Sequence, residues 1–435
     1  MNFRDLLPGP VFRFLYPGIK LKRWGFLLFV SAVVLFVGAT GITGESLTGR
    51  RFAVKPLQRV ERSVRHYWTS LRALDRWLIV IGGVGMVFAV RRGYYAILTF
   101  ILPRGERDLV RIAYQRARRK RGPRIVAIGG GTGLPNLLTG LKEYTDNLTA
   151  IVTVADDGGS SGRLKRQFRI PPPGDVRNCL VALADEEPLM SRLFQHRFAH
   201  KGELEGHTFG NLFLAALTDI SGDFSRALAE SHRVLAVRGR VEPVTMNLVQ
   251  LAARLKNGRT VRGESRIARA GSPVERVHLI PPRPKANPEA VRAIAKADII
   301  VLGPGSLYTS VVPNLLVPEI REAVTGSRAL KIYVCNIMTE PGETDGFSAG
   351  DHVEVLVRYL KDGAPDAVVL NVEMPDDGVL IRYRTEHAEL VRNDEVRVRS
   401  LGSHVVRGRL LAERTDFIRH DAAKLSRVIM KYAVI

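Results

Sequence analysis

From residue 124 onward, short β-branched runs alternate with helix-like stretches and glycine-rich turns. That alternation limits the fold more than any other feature of the chain. Parallel strands must be joined by long crossovers, usually helices, and the helices then cover both faces of the sheet. The expectation is therefore an α/β body with a mostly parallel sheet. Strands are predicted over 124–128, 150–155, 298–302, 331–336 and 367–371, and no internal repeat or low-complexity tract interrupts them. Cys179 and Cys335 are the two cysteines, each set in an apolar run, which reads as reduced core packing and not as a disulfide framework.

The first 124 residues are different. They hold 24 Lys and Arg against 6 Asp and Glu, whereas the other 311 residues hold 41 against 37, so the formal charge of +22 is mostly N-terminal. The body shows no basic helix, aromatic nucleic-acid-binding strand or zinc-finger spacing, which argues against nucleic acid as a partner. Two apolar stretches, at about 25–43 and 71–90, approach the ~20 residues that cross a bilayer. The second is expected to be broken at Arg91-Arg92, with an aromatic piece beyond it at the interface. Nine Lys and Arg between Arg104 and Arg124 favour the cytoplasmic side. The simplest arrangement is a hairpin with both ends inside, giving a multi-pass inner-membrane protein whose main domain is cytoplasmic. The basic run Arg116 to Arg121 suits an anionic leaflet or a solvated linker equally well. The domain boundary falls at Gly122-Pro123, dividing the chain into 1–121 and 122–435.

Within the body, the first strand runs into Gly129-Gly-Gly-Thr-Gly133 and a helix starting near Leu134. Glycines permit the tight turn and let backbone N–H groups approach a phosphate at the positive helix end. Leu134 stands where a dinucleotide fingerprint needs its third glycine, and no Gly-Lys-Ser/Thr follows, so neither dinucleotide nor P-loop chemistry is expected. The second strand leads to Asp156-Asp-Gly-Gly-Ser-Ser-Gly162, whose carboxylates suit ribose hydroxyls, a Mg²⁺ on a diphosphate, or a simple Asx turn. In the next motif Asp175 fits an N-cap of a helix over 176–184, with Arg177 and Asn178 in its first turn, able to reach an anion. His207 and Asn211 sit in Gly206-His-Thr-Phe-Gly-Asn211, another polar loop feeding a helix. Gly303-Pro-Gly-Ser-Leu-Tyr-Thr-Ser310 and Met338 to Thr344 follow two later strands. In a parallel sheet these loops converge on one crevice.

Taken in order, Ile128-Gly-Gly-Gly-Thr-Gly-Leu134, Val154-Ala-Asp-Asp-Gly-Gly-Ser-Ser-Gly-Arg163, Pro171-Pro-Pro-Gly-Asp-Val-Arg-Asn178, Gly206-His-Thr-Phe-Gly-Asn211, Gly303-Pro-Gly-Ser-Leu-Tyr-Thr-Ser310 and Pro341-Gly-Glu-Thr344 closely resemble the YvcK-like gluconeogenesis factors. These are related to the CofD-like 2-phospho-L-lactate transferases. The resemblance implies a Rossmann-like CofD fold and binding of a UDP-sugar, UDP-N-acetylglucosamine above others, in a regulator of carbon metabolism, cell-wall precursor supply and cell shape. It implies ligand contacts from Gly130, Gly131, Thr132, Gly133, Asp156, Asp157, Asp175, Arg177, Asn178, His207, Asn211, Gly305, Ser306 and Tyr308, with Tyr383 and Arg419 at the nucleotide end. No tightly bound cofactor is expected, Mg²⁺ on Asp156 and Asp157 being the metal to test. Self-association and regulatory protein partners remain open. So does the alternative of a Mg²⁺-dependent phospholactyl transferase with a nucleoside-diphosphate-linked donor.

Overall fold

A computed structural model describes residues 21–40, 73–101, 117–185, 188–361, 363–413 and 417–433. The chain divides into two compact units, Met1–Ile112 and Ala113–Ile435.

In the first unit, helices Leu21–Thr40 and Ala73–Ile101 pack against each other. The contact forms where glycine allows it: a Cβ on Gly82 would lie 2.8 Å from Leu35 Cγ, and one on Gly85 2.6 Å from Ser31 Oγ. Small residues of this kind let helix backbones approach closely. The second helix does not break at Arg91-Arg92; it runs on to Ile101, because arginine is a good helix former and the pair can lie on an exposed face. Among the described residues one helix, with its apolar window at Trp77–Tyr94, is long and apolar enough to cross a membrane. In the first helix the described apolar stretch is Phe26–Phe36, so among the described residues one candidate span stands where a pair of transmembrane helices was expected. The connecting segment and most of the basic stretch used to orient the hairpin lie outside the described residues.

The second unit is built on a seven-stranded sheet. Its strands are β1 (Ile125–Gly129), β2 (Leu148–Val152), β3 (Arg240–Pro243), β7 (Ile299–Leu302), β8 (Leu330–Val334), β9 (Ala367–Asn371) and β10 (His404–Gly408), in the order β10-β9-β8-β7-β1-β2-β3. Every neighbouring pair is parallel. All five predicted strands are present. The second starts and ends earlier than expected, because Thr153 to Ala155 leave the ladder to form the loop carrying Asp156. The two unpredicted strands are the edges. Neither is uniformly apolar, and β3 ends in Pro243, which an edge tolerates because no ladder hydrogen bond is lost there.

Side chains alternate across this sheet into two cores. Val126, Ile128, Ile300, Leu302, Tyr333 and Val368 face one side, and Ile125, Ala127, Val301, Ile332, Val334 and Val369 the other. Against the first core packs an unexpected antiparallel sheet of β4 (Gln250–Leu255), β5 (Thr260–Arg262) and β6 (Val274–Ile280). The β4 sequence Gln-Leu-Ala-Ala-Arg-Leu has helical propensity, and burial of Leu251, Ala253 and Leu255 against the main sheet overrides it.

From β1 the chain winds outward through β2 to β3, then returns and winds the other way from β7 to β10. The direction therefore reverses between β1 and β7, and their carboxyl ends open the crevice that such a reversal creates. Behind it, helix Gly133–Leu141 rests on the last helix, Ala422–Ala433. A Cβ on Gly140 would fall 2.1 Å from both the Ala422 carbonyl oxygen and Ser426 Oγ. Gly140→Ala should therefore destabilise the fold by about 1–3 kcal/mol. Chemical denaturation of the two proteins measures it, and an unchanged midpoint would show that the helices do not meet this closely.

Candidate functional site

Three loops interlock at the reversal. After β1, Gly131 adopts φ +62° and its N–H donates to Asp175 Oδ2 at 2.9 Å. A Cβ on Gly130 would lie 2.5 Å from Thr153 Cγ2 and 2.8 Å from Asp175 Oδ2, and one on Gly133 2.4 Å from the Pro304 carbonyl oxygen. Gly133 is thus required by the closeness of the β7 loop, and Gly130 by Thr153 after β2 and by Asp175, as much as by the turn. That loop is held in turn: Asn336 Oδ1 accepts from Gly305 N–H at 3.2 Å, and Asn336 Nδ2 donates to the Gly305 carbonyl at 3.0 Å. Buried Asn314 donates from Nδ2 to the carbonyls of Gly129 and Ser310, tying the two loops from below.

Above them lies a cavity of about 550 Å³. Residues 131–133 and Asn136 form one wall, residues 304–306 and 336–341 a second, and Tyr383, Phe417, Arg419 and His420 a third. The third wall is braced internally, since Tyr383 Oη accepts from Ile418 N–H at 3.0 Å. Of the expected ligand contacts, Gly131, Thr132, Gly133, Gly305, Ser306, Tyr383 and Arg419 line this one cavity, whereas Gly130 is buried behind it. Tyr308 does not reach it. The ring is 2% exposed and packs edge-on against Phe347 in the core, since the residue lies within a buried helical turn, Leu307–Val311.

Asp156, Asp157, Asp175, Arg177, Asn178, His207 and Asn211 gather beside this cavity, joined to it by the Asp175–Gly131 bond. The helix after the proline run begins at Pro173 with Pro172 as its cap, so Asp175 is not the expected N-cap, and Arg177 and Asn178 fall beyond the first turn. The prolines start the helix early because proline fits its first turn at no hydrogen-bond cost. Asp156 makes the Asx turn, its Oδ1 accepting from Gly158 N–H at 2.8 Å, while Asp157 Oδ1 accepts from Ser265 N–H at 3.1 Å. Ser160 Oγ stands 3.0 Å from His207 Nδ1 and accepts from Asn211 Nδ2 at 3.0 Å, which leaves its own proton for the histidine.

Sequence reasoning did not single out Asn136, Asn336, Glu264, Glu340, Glu343 or His420. Glu264 follows a strand in the unexpected second sheet, and Asn336 was read only as the end of a strand. Burial pushes Asp175 up to about 6, helped by the charge of Asp156 and opposed by the Gly131 N–H. Burial likewise pushes Glu264 up to about 7, with Asp156, Asp157 and Asp175 adding to it. Glu343 is 4% exposed and rises to about 8 through burial and the nearby Glu340, although Thr309 Oγ1 donates to its Oε1 at 3.0 Å. Burial alone holds His420 down at about 4. Among the described residues no three His, Cys, Asp or Glu side chains gather as metal ligands. Asp156 and Asp157 each use one oxygen to brace a loop, so a Mg²⁺ there would depend on ligand oxygens for most of its coordination.

The family profile described as "2-phospho-L-lactate transferase CofD" matches residues 125–411. A "Putative gluconeogenesis factor" of Nostoc sp. is 44% identical over 97% of this chain and 92% of its own length. The "Gluconeogenesis factor" of Bacillus subtilis is 47% identical over 71% of this chain and 97% of its own. A crystal structure of a UPF0052 family member from Bacillus halodurans superposes with a TM-score of 0.69 and 49% identity, covering 70% of this chain and 99% of the other.

Two outcomes follow from the geometry. A carboxyl raised in the fold stabilises it while protonated, fully below the usual 4.5 for Glu343, and that stability is lost as pH rises through about 8. The wild-type thermal midpoint should therefore fall between pH 6.5 and 8, above the range where His420 titrates, and Glu343→Gln should flatten that fall. Equal slopes would show that Glu343 is ionised throughout. Gly133→Ala should push the β1 and β7 loops apart, leaving a folded protein with a weakened site, which circular dichroism and ligand titration together measure.

Proposed function

The chain belongs to the CofD family, among its gluconeogenesis factors, and on that premise we propose that the crevice between β1 and β7 binds a UDP-sugar, with UDP-N-acetylglucosamine the first candidate. The observation that carries this reading is the single cavity of about 550 Å³ shared by residues 131–133, Ser306, Tyr383 and Arg419. Its size suits a small-molecule ligand. A diphosphate fits at the amino end of helix Gly133–Leu141, where backbone N–H groups and the helix dipole favour negative charge. Tyr383 supplies an aromatic face for the nucleoside and Arg419 a fork for its polar edge or a phosphate. Asp156 and Asp157 suit sugar hydroxyls, which are donors, and so give the acidic half of the crevice a role that does not set it against the phosphates.

In this reading ligand occupancy tunes carbon metabolism, cell-wall precursor supply and cell shape through a partner protein, and the helix Ala73–Ile101, with or without its neighbour, holds the domain at the cytoplasmic face of the membrane. A second reading draws on the transferase name of the matching profile and on the paired aspartates: a Mg²⁺-dependent transfer from a nucleoside-diphosphate-linked donor.

Calorimetric titration of the full chain with UDP-N-acetylglucosamine, with and without Mg²⁺, should show saturable binding and unchanged nucleotide sugar afterwards. Tyr383→Ala and Arg419→Ala should each weaken it by about tenfold or more, roughly 1.4 kcal/mol. NADP should not bind. Mg²⁺-dependent consumption of the nucleotide would transfer support to the second reading, and absence of binding would reject the first.

A further inference from the structure

Beside the cavity but outside its lining, the loop 205–211 is gripped by three arginines. Arg163 Nη2 donates to the Glu205 carbonyl, and Arg197 Nη1 donates to the Gly206 carbonyl at 2.6 Å. Arg177 Nη1 donates to Thr208 Oγ1 and, at 3.1 Å, to Asn211 Oδ1, while its Nη2 donates to Asn178 Oδ1 at 2.6 Å. Every one of these acceptors is neutral, and among the described residues none of the three guanidiniums forms an ion pair. The carboxylates that act on Arg177 are Asp175 and Asp156.

Arg177 is only 8% exposed, and its Nε has no hydrogen-bond partner. Its side chain crosses the start of helix Phe209–Ser221 so closely that a Cβ on Gly210 would lie 2.7 Å from Arg177 Cδ. The same helix start carries His207, whose imidazole is held below its ordinary value by burial and by the charges of Arg163 and Arg197. Three like charges brought against one loop from separate segments, at the positive end of a thirteen-residue helix, repel one another. Hydrogen bonds to neutral oxygens position them without supplying a counter-charge, and Arg177 has the charges of Asp175 and Asp156 acting on it.

We propose that Arg163, Arg177 and Arg197, with the start of helix Phe209–Ser221, form a second anion subsite that takes a phosphate- or carboxylate-bearing group. The anion completes the charge balance of the loop, with Arg163 and Arg197 as its direct contacts and Arg177 fixing the loop from beneath. Bidentate guanidinium geometry suits either oxyanion. The source is a separate small anion or the far end of the ligand held by the glycine loop. This subsite goes beyond the nucleotide reading, because it is defined by the anion alone.

The test is titration of the full chain with inorganic phosphate at constant ionic strength, read by thermal shift and by calorimetry. Arg163→Gln and Arg197→Gln are the main variants, since both side chains reach the surface, with Arg419→Ala as a control in the cavity. Saturable stabilisation by phosphate that both glutamine variants weaken about tenfold, and that Arg419→Ala retains, supports the subsite. Given that result, competition by UDP-N-acetylglucosamine identifies the anion as part of the same ligand, and additive binding identifies a separate molecule. Phosphate binding equal in wild type and both glutamine variants, binding lost only in Arg419→Ala, or no saturable phosphate effect would overturn it.

Discussion

The close approach of the β1 and β7 loops governs the rest of this structure. Gly133 meets the Pro304 carbonyl with no room for a Cβ, and Gly130 is packed as tightly against Thr153 and Asp175. The Gly133 contact exists because β1 and β7 are neighbours that meet where the winding of the sheet reverses, and the Gly130 contact because β2 flanks β1 on the other side. A parallel sheet delivers its loops to one edge, and the reversal opens a gap between two of them. Asn314 and Asn336 then fix the gap with side-chain hydrogen bonds to backbone carbonyls and an N–H, so the crevice is shaped before any ligand arrives.

The crevice is electrically divided. Its floor offers backbone N–H groups and a helix start, and its outer wall offers Arg419. Beside these stand Asp156, Asp157, Asp175 and Glu264, two of which are pushed toward neutrality by burial and mutual repulsion. An anion and a group rich in hydroxyl donors could share such a site without either half opposing the other, and a nucleotide-linked sugar has both parts. The same electrostatic reasoning marks out the His207 loop, where three guanidiniums bond to neutral acceptors while Asp175 and Asp156 act on Arg177.

Much of this was legible in the residues. The five interior strands announce themselves as short apolar runs, because strands buried on both faces cannot alternate polar with apolar residues. The glycine loop and its neighbours were readable because each joins a strand to a helix. The edges β3 and β10 were not, since an edge is under weaker demand for apolar side chains, and β4 was hidden by residues that favour helix in isolation. Asp175 was read as a cap because its sequence neighbourhood suits one; its bond to Gly131 spans 44 positions and depends on tertiary contact. Tyr308 stood in a motif that faces the crevice, and only the buried helical turn after Ser306 turns it inward. Two apolar stretches of similar composition suggested two membrane spans; among the described residues one window, Trp77–Tyr94, reaches that length and apolarity.

The claim on which this account rests is that one ligand bridges the β1 and β7 loops. Amide hydrogen exchange of the full chain, followed with and without UDP-N-acetylglucosamine, tests it most directly. The account predicts slowed exchange in peptides covering 129–134, 303–310 and 417–420 together, with little change at the amino ends of the strands. Protection confined to one loop, or located away from the crevice, would contradict it.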